Sequence, residues 1–184
     1  MMTNDELINK MRKMELKLLI IGYNKASQLD RSFSKTKMSD TNKIKFREKL
    51  LEYCSLLMEK VDNETLTNKD IRDKIKELTE IDSNISFGQA QKVINVTLKQ
   101  YCFIMNKKNL LKELDCPLDV TTMKGYGINH KKMIDVNEDD YLKYQDIYNK
   151  EFNGMRILKD CSYDEMRIRN FKNPQIKVDS KLIE

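Results

Sequence analysis

The chain has 184 residues, 40% of them apolar and 34% charged, with five Gly, two Pro and a net charge of +5. That length suits one domain whose core needs neither disulfides nor a structural metal. The composition excludes a disordered chain and a turn-rich all-β fold, leaving an all-α, single compact multi-helix domain.

Thr3 and Glu6 form a capping-box pattern ahead of Leu7, Met11, Met14, Leu18 and Ile21, which recur at helical spacing and predict a helix over 4–21. Gly22 and a polar stretch from Ser27 to Asp40 end it. With Asp40 or Thr41 as cap, Ile44, Leu50, Leu51, Cys54, Leu57, Met58 and Val61 predict a second helix over 43–61. Thr67 and Asp70 open a third at 68–80. After the turn from Asp82 to Ser86, the stripe Ala90, Val93, Ile94, Leu98, Tyr101, Cys102 and Met105 makes 87–105 the clearest helix and the expected centre of the fold. A short helix is expected at 107–114. Pro117 stops propagation, and Asp119 stands as N-cap before Val120, with Gly125 and Gly127 ending that turn. Asn137 opens a helix over 138–152 carrying Tyr141, Tyr144, Ile147, Tyr148 and Phe152, which suit core packing or a partner groove. Ser162 and Glu165 cap an expected helix at 163–170. The domain is expected to span 1–172, followed by a loosely held tail at 173–184.

The longest apolar run is Leu18-Leu19-Ile20-Ile21, far short of the ~20 residues a membrane span needs. No membrane partner is expected. Asp5, Glu6 and Glu15 interrupt the N-terminus and no small-residue cleavage pattern follows, so the expected location is the cytoplasm. Cys54, Cys102, Cys116 and Cys161 are widely spaced and read as free thiols, mostly buried. With His130 the one histidine, in a loop of surface character, no metal site and no cofactor is expected.

Charge is unevenly distributed. Residues 1–60 carry 13 Lys/Arg against 8 Asp/Glu, while 61–184 carry 21 of each. The densest stretch, Arg31 to Lys49, includes Lys43, Lys45 and Arg47, which can hold a phosphate backbone through counterion release or form a solvated surface.

On the 87–105 helix, Lys92, Asn95 and Lys99 share a polar stripe with Gln91 beside it. The order of a short helix, a turn, Gly88-Gln89-Ala90-Gln91-Lys92 opening a second helix, and Cys116-Pro117-Leu118-Asp119 starting another resembles the helix-hairpin-helix DNA glycosylase superfamily. Gly88 and Ala90 fall where that family has its two glycines, and Pro117-Leu118-Asp119 resembles its Pro-Val-Asp. The resemblance spans about 68–125. It implies a helix-hairpin-helix element gripping DNA through main-chain amides near Gly88, with Gln91, Asn95 and Lys99 close by. It further implies that Lys92 attacks the deoxyribose C1′ and that Asp119 stabilises the cationic sugar. The chain is also similar to uncharacterised bacterial and phage-type helical proteins with a Phe-Gly-x-Ala-Gln-Lys-x-x-Asn helix and a Cys-Pro-x-Asp turn.

Three readings follow. The first is a DNA-binding helical protein acting as a glycosylase or abasic lyase through Lys92 and Asp119. The second is a non-enzymatic interaction protein of phage or mobile-element type, masking a protein or nucleic-acid partner with its basic N-terminal third or its tyrosine-bearing helix. The third is a nucleotide-binding module in which Lys92, Lys99 and the amides near Gly88 hold phosphates.

Overall fold

The computed structural model describes residues 2–26, 37–124, 126 and 132–161. The expected helix at 163–170, the tail at 173–184, His130, Gly125, Gly127 and the basic residues Arg31 and Lys35 lie outside them. The described helices are α1 (Asn4–Asn24), α2 (Asp40–Asp62), α3 (Asn68–Thr79), α4 (Phe87–Ile104), the single turn α5 (Val120–Met123) and α6 (Glu138–Glu151). No described residue forms a strand, so the fold is all-α.

Capping chemistry sets the helix starts. Thr3 with Glu6, Thr67 with Asp70 and Ser86 with Gln89 form reciprocal capping boxes, each satisfying amides that the first turn leaves without intrahelical partners. Asn137 caps α6 as its sequence predicts. On α2 the cap is Ser39, whose hydroxyl accepts the Asn42 amide, so the helix begins three residues before the expected start. The expected helix at 107–114 is a 3-10 turn over Lys108–Leu110 followed by further turns. Asn106, at φ 53°, ends α4 in the left-handed region, and the chain restarts in a new direction. Leu110 and Leu114 still anchor this segment in the core.

α4 is the central element. It packs against α1, α2 and α3, and thirteen of its eighteen residues are buried. Its apolar stripe meets Leu57, Ile71, Ile75, Leu78 and Tyr144 in one hydrophobic cluster. Tyr141, Tyr144 and Tyr148 of α6 are fully buried, which makes them core rather than a partner groove. Cys54, Cys102 and Cys116 are buried free thiols, and burial pushes Cys54 and Cys102 up to about 12.

α1 behaves differently. Only Ile20, Ile21 and Asn24 are buried, and Asn24 donates to Gln100 Oε1 at 2.8 Å. Lys17 reaches Asp62 at 2.7 Å, which ties the helix to the end of α2. Every residue from 2 to 15 is exposed. The periodic apolar run that predicts this helix therefore enters the core only at its last turn.

Candidate functional site

Lys92 leaves the second turn of α4, and Asp119 caps α5 after Pro117 has directed the chain across it. Their side chains meet, with Lys92 Nζ donating to Asp119 Oδ2 at 2.9 Å. Asp119 Oδ1 accepts the Thr121 and Thr122 amides, both at 2.9 Å, and the Asp119 amide donates to Thr122 Oγ1 at 2.9 Å. Asp119 is thus both helix cap and ion-pair partner. Lys92 is only 9% exposed.

Burial pushes the Asp119 carboxyl up, yet the Lys92 ammonium, its hydrogen bond and the Thr122 and Thr121 amides outweigh burial and hold it below its ordinary value. A carboxyl whose folded value is depressed contributes stability fully above its unfolded value of 3.8 and loses it as pH falls through the folded value. Asp62 is lowered in the same direction, where burial is outweighed by Lys17 and the Tyr101 hydroxyl. Thermal melts are therefore expected to hold steady from neutrality to about pH 4 and to fall below it. Asp119→Asn, which preserves the cap, should flatten part of that acid limb; an unchanged limb contradicts this assignment.

The rest of the polar stripe faces inward. Gln91 Nε2 donates to the carbonyls of Gly88 (3.0 Å) and Leu118 (2.9 Å), while its Oε1 accepts the Leu118 amide at 3.0 Å. Gln145 of α6 treats Cys116 the same way, accepting its amide at 2.9 Å and donating to its carbonyl at 2.8 Å. Two buried side-chain amides thus satisfy a loop backbone that neither helix nor sheet would pair. Asn95 Nδ2 donates to Gln91 Oε1 at 3.2 Å and to the Tyr141 hydroxyl at 3.0 Å. Lys99 Nζ meets Asp160 Oδ2 at 2.6 Å, with Asp160 buried and Lys99 partly buried.

The expected phosphate-facing stripe thus carries internal contacts. Gln91, Asn95 and Lys99 have partners within the protein, because the loop before Asp119 and the segment around Asp160 cover that side of α4. Gly88 is closed off too. Its amide donates to the Val136 carbonyl at 3.2 Å, and a Cβ at this position would stand 1.8 Å from the Met133 carbonyl oxygen. Of the basic residues expected on nucleic acid, Lys43 pairs with Asp40 at 2.9 Å, Arg47 is half-buried and Lys45 is exposed.

Sequence reasoning missed the centre of the polar network, Asp115. Its carboxylate has no solvent exposure. Oδ2 accepts from Arg72 Nε and the Tyr141 hydroxyl, each at 2.8 Å, and Oδ1 lies 2.6 Å from Arg156 Nε. A lone acid inside the apolar run from Leu114 to Leu118 is the signal that marks it.

No family model, curated protein or solved structure matches this chain. Two surface grooves are formed by described residues. One of about 480 Å³ between α2 and α3 is lined by Glu59, Asp70, Asp73 and Glu77 together with Lys60 and Lys74. Another, of about 450 Å³ between α1 and α2, is lined by Lys10, Met14, Lys17, Leu18, Ser55 and Glu59 among others. Neither groove is lined by Lys92 or Asp119. Among the described residues, the largest run of exposed apolar side chains is on α1, with Leu7, Ile8, Met11, Met14, Leu18, Leu19 and Tyr23 all between 45% and 68% exposed.

Proposed function

We propose that this chain is a non-enzymatic helical interaction protein. Its buried polar network fixes the scaffold, and its N-terminal helix is the working face that docks another polypeptide. The observation carrying this reading is the exposure of every residue from 2 to 15 on a helix with an apolar ridge. Isolated helices of this length are marginal in water, and contiguous exposed apolar surface marks interaction sites in soluble domains. Lys10 and Lys17 lie along one edge of the ridge.

The test is a photo-crosslinking amino acid at position 11, with position 69 on α3 as an exposed polar control, activated in the cell that makes the protein. Adducts to a polypeptide at 11 and not at 69 are expected. Equal or absent labelling at the two positions contradicts the reading.

A second reading, an abasic-site lyase, is favoured by the 2.9 Å contact between Lys92 and Asp119. The Lys92 amine would add to C1′ of the opened deoxyribose and expel water to leave a Schiff base, with Asp119 near the cationic carbon. Against it stand the burial of Lys92 and the closure of Gly88 by Met133 and Val136.

A further inference from the structure

The apolar ridge of α1 has a spacing that its own domain does not use. Leu7, Met11, Met14, Leu18 and Ile21 are separated by alternating steps of four and three residues, the a/d repeat of a coiled-coil seam. Leu7, Met14 and Ile21 take d positions, and Met11 and Leu18 take a positions. Ile21 is buried in the domain core, but the four residues before it are each about half exposed. The seam is therefore open from Leu7 to Leu18, just over three helical turns. Lys17, Ile20 and Asn24, which hold α1 to the domain, lie to one side of this ridge at the helical spacing, and the ridge itself enters the core at Ile21. Met14 and Leu18 also border the groove beside Ser55 and Glu59, so a second helix on the ridge would lie next to α2.

The flanking charges select the occupant. With Leu7 at d, Lys10 and Lys17 occupy g positions, while Ile8 and Glu15 occupy e positions. In a parallel pair of identical helices, a g residue faces the e residue five places further along the partner. Lys10 of one copy then faces Glu15 of the other, and the two-fold axis makes the same pair twice. An antiparallel pair would instead bring g positions together, setting Lys10 against Lys17 of the partner copy. Lys17 is held by Asp62 at 2.7 Å, so it does not compete for Glu15.

We infer that the occupant of the α1 ridge is α1 of a second copy of this chain, in a parallel, in-register coiled coil closed by reciprocal Lys10–Glu15 pairs. This rests on the proposed function in taking α1 as the working face, and adds the identity of the partner. It also accounts for a helix whose first three turns bury no side chain and reach α2 through the ion pair of Lys13 with Asp62 at 3.8 Å.

The experiment uses the purified full chain. Sedimentation equilibrium at micromolar concentration is expected to show a dimer. Lys10→Glu or Glu15→Lys alone should weaken it about tenfold, since each replaces two attractive pairs with two repulsive ones, and the double swap should restore it. Both positions are exposed on the helix, and far-UV circular dichroism of each variant checks that it folds. Met14→Cys, at a d position, should oxidise to a covalent dimer where the native chain, carrying Cys161 and three buried thiols, does not. A chain that stays monomeric, a dimer indifferent to the charge swap, or a Met14→Cys chain that forms no disulfide overturns the inference. If the purified chain is monomeric while position 11 still cross-links in cells to a different polypeptide, this inference falls and the interaction reading stands. If neither occurs, both fall.

Discussion

Asp115→Asn is expected to lower the unfolding free energy by about 3–5 kcal/mol, a large part of the ~5–15 kcal/mol a domain of this size holds. The carboxylate is fully buried, accepts from Arg72 on α3 and the Tyr141 hydroxyl on α6, and forms an ion pair with Arg156. Asn keeps the volume but removes the charge, leaving two guanidinium groups beside a neutral amide. Its own N–H donors also face those cations. The loss comes from this uncompensated charge rather than from the number of bonds broken, so it exceeds what an exposed ion pair contributes. Urea unfolding reads it directly. A shift equivalent to less than about 1 kcal/mol, the range of surface ion pairs, contradicts the account.

Gly88→Ala should also destabilise, by about 3 kcal/mol, at the upper end of overpacking costs. The sign is informative, because Gly→Ala inside a helix ordinarily stabilises by about 0.5–1 kcal/mol. Here the new Cβ would lie 1.8 Å from the Met133 carbonyl oxygen and 2.8 Å from its carbon. These are backbone atoms and do not rotate away. The start of α4 must separate from the 133–136 segment, which breaks the Gly88–Val136 hydrogen bond of 3.2 Å. A neutral or stabilising Gly88→Ala chain would show that this contact is looser than the geometry states.

What was legible in the sequence depended on how local its physics is. The caps at Thr3, Thr67, Asp119 and Asn137 involve residues two or three apart, so the pattern alone identifies them. The contact between Lys92 and Asp119 followed from a resemblance, and the structure brings the two together at 2.9 Å. The inward face of α4 was not legible. A stripe of Gln91, Lys92, Asn95 and Lys99 reads the same whether it meets water or a loop backbone, and the partners that decide are 27 residues away at Leu118 and 61 away at Asp160. Asp115 was missed because its partners, Arg72, Tyr141 and Arg156, come from distant parts of the chain. The exposed ridge of α1 was hidden for the opposite reason. Helical periodicity states that a face is apolar, and says nothing about whether this chain or another covers it.

The expected helix over 107–114 fails on a single backbone angle. Lys107 to Leu114 has the composition of a helix, but Asn106 at φ 53° redirects the chain and the segment forms a 3-10 turn over Lys108–Leu110. That turn matters downstream. It sets Leu114 and Asp115 into the core, and Gln145 and Gln91 then fix Cys116 and Leu118 so that Asp119 arrives at Lys92. The ion pair is the end of a structural sequence.

On the proposed reading, Lys92 and Asp119 lock the fold and the chain acts by binding. Sodium borohydride trapping on DNA carrying an abasic site tests this most directly, because only an amine nucleophile that reaches C1′ leaves a reducible Schiff base. The account predicts no covalent adduct above that of a Lys92→Ala chain. A trapped adduct that disappears in Lys92→Ala while the variant remains folded would contradict it and establish Lys92 as a nucleophile.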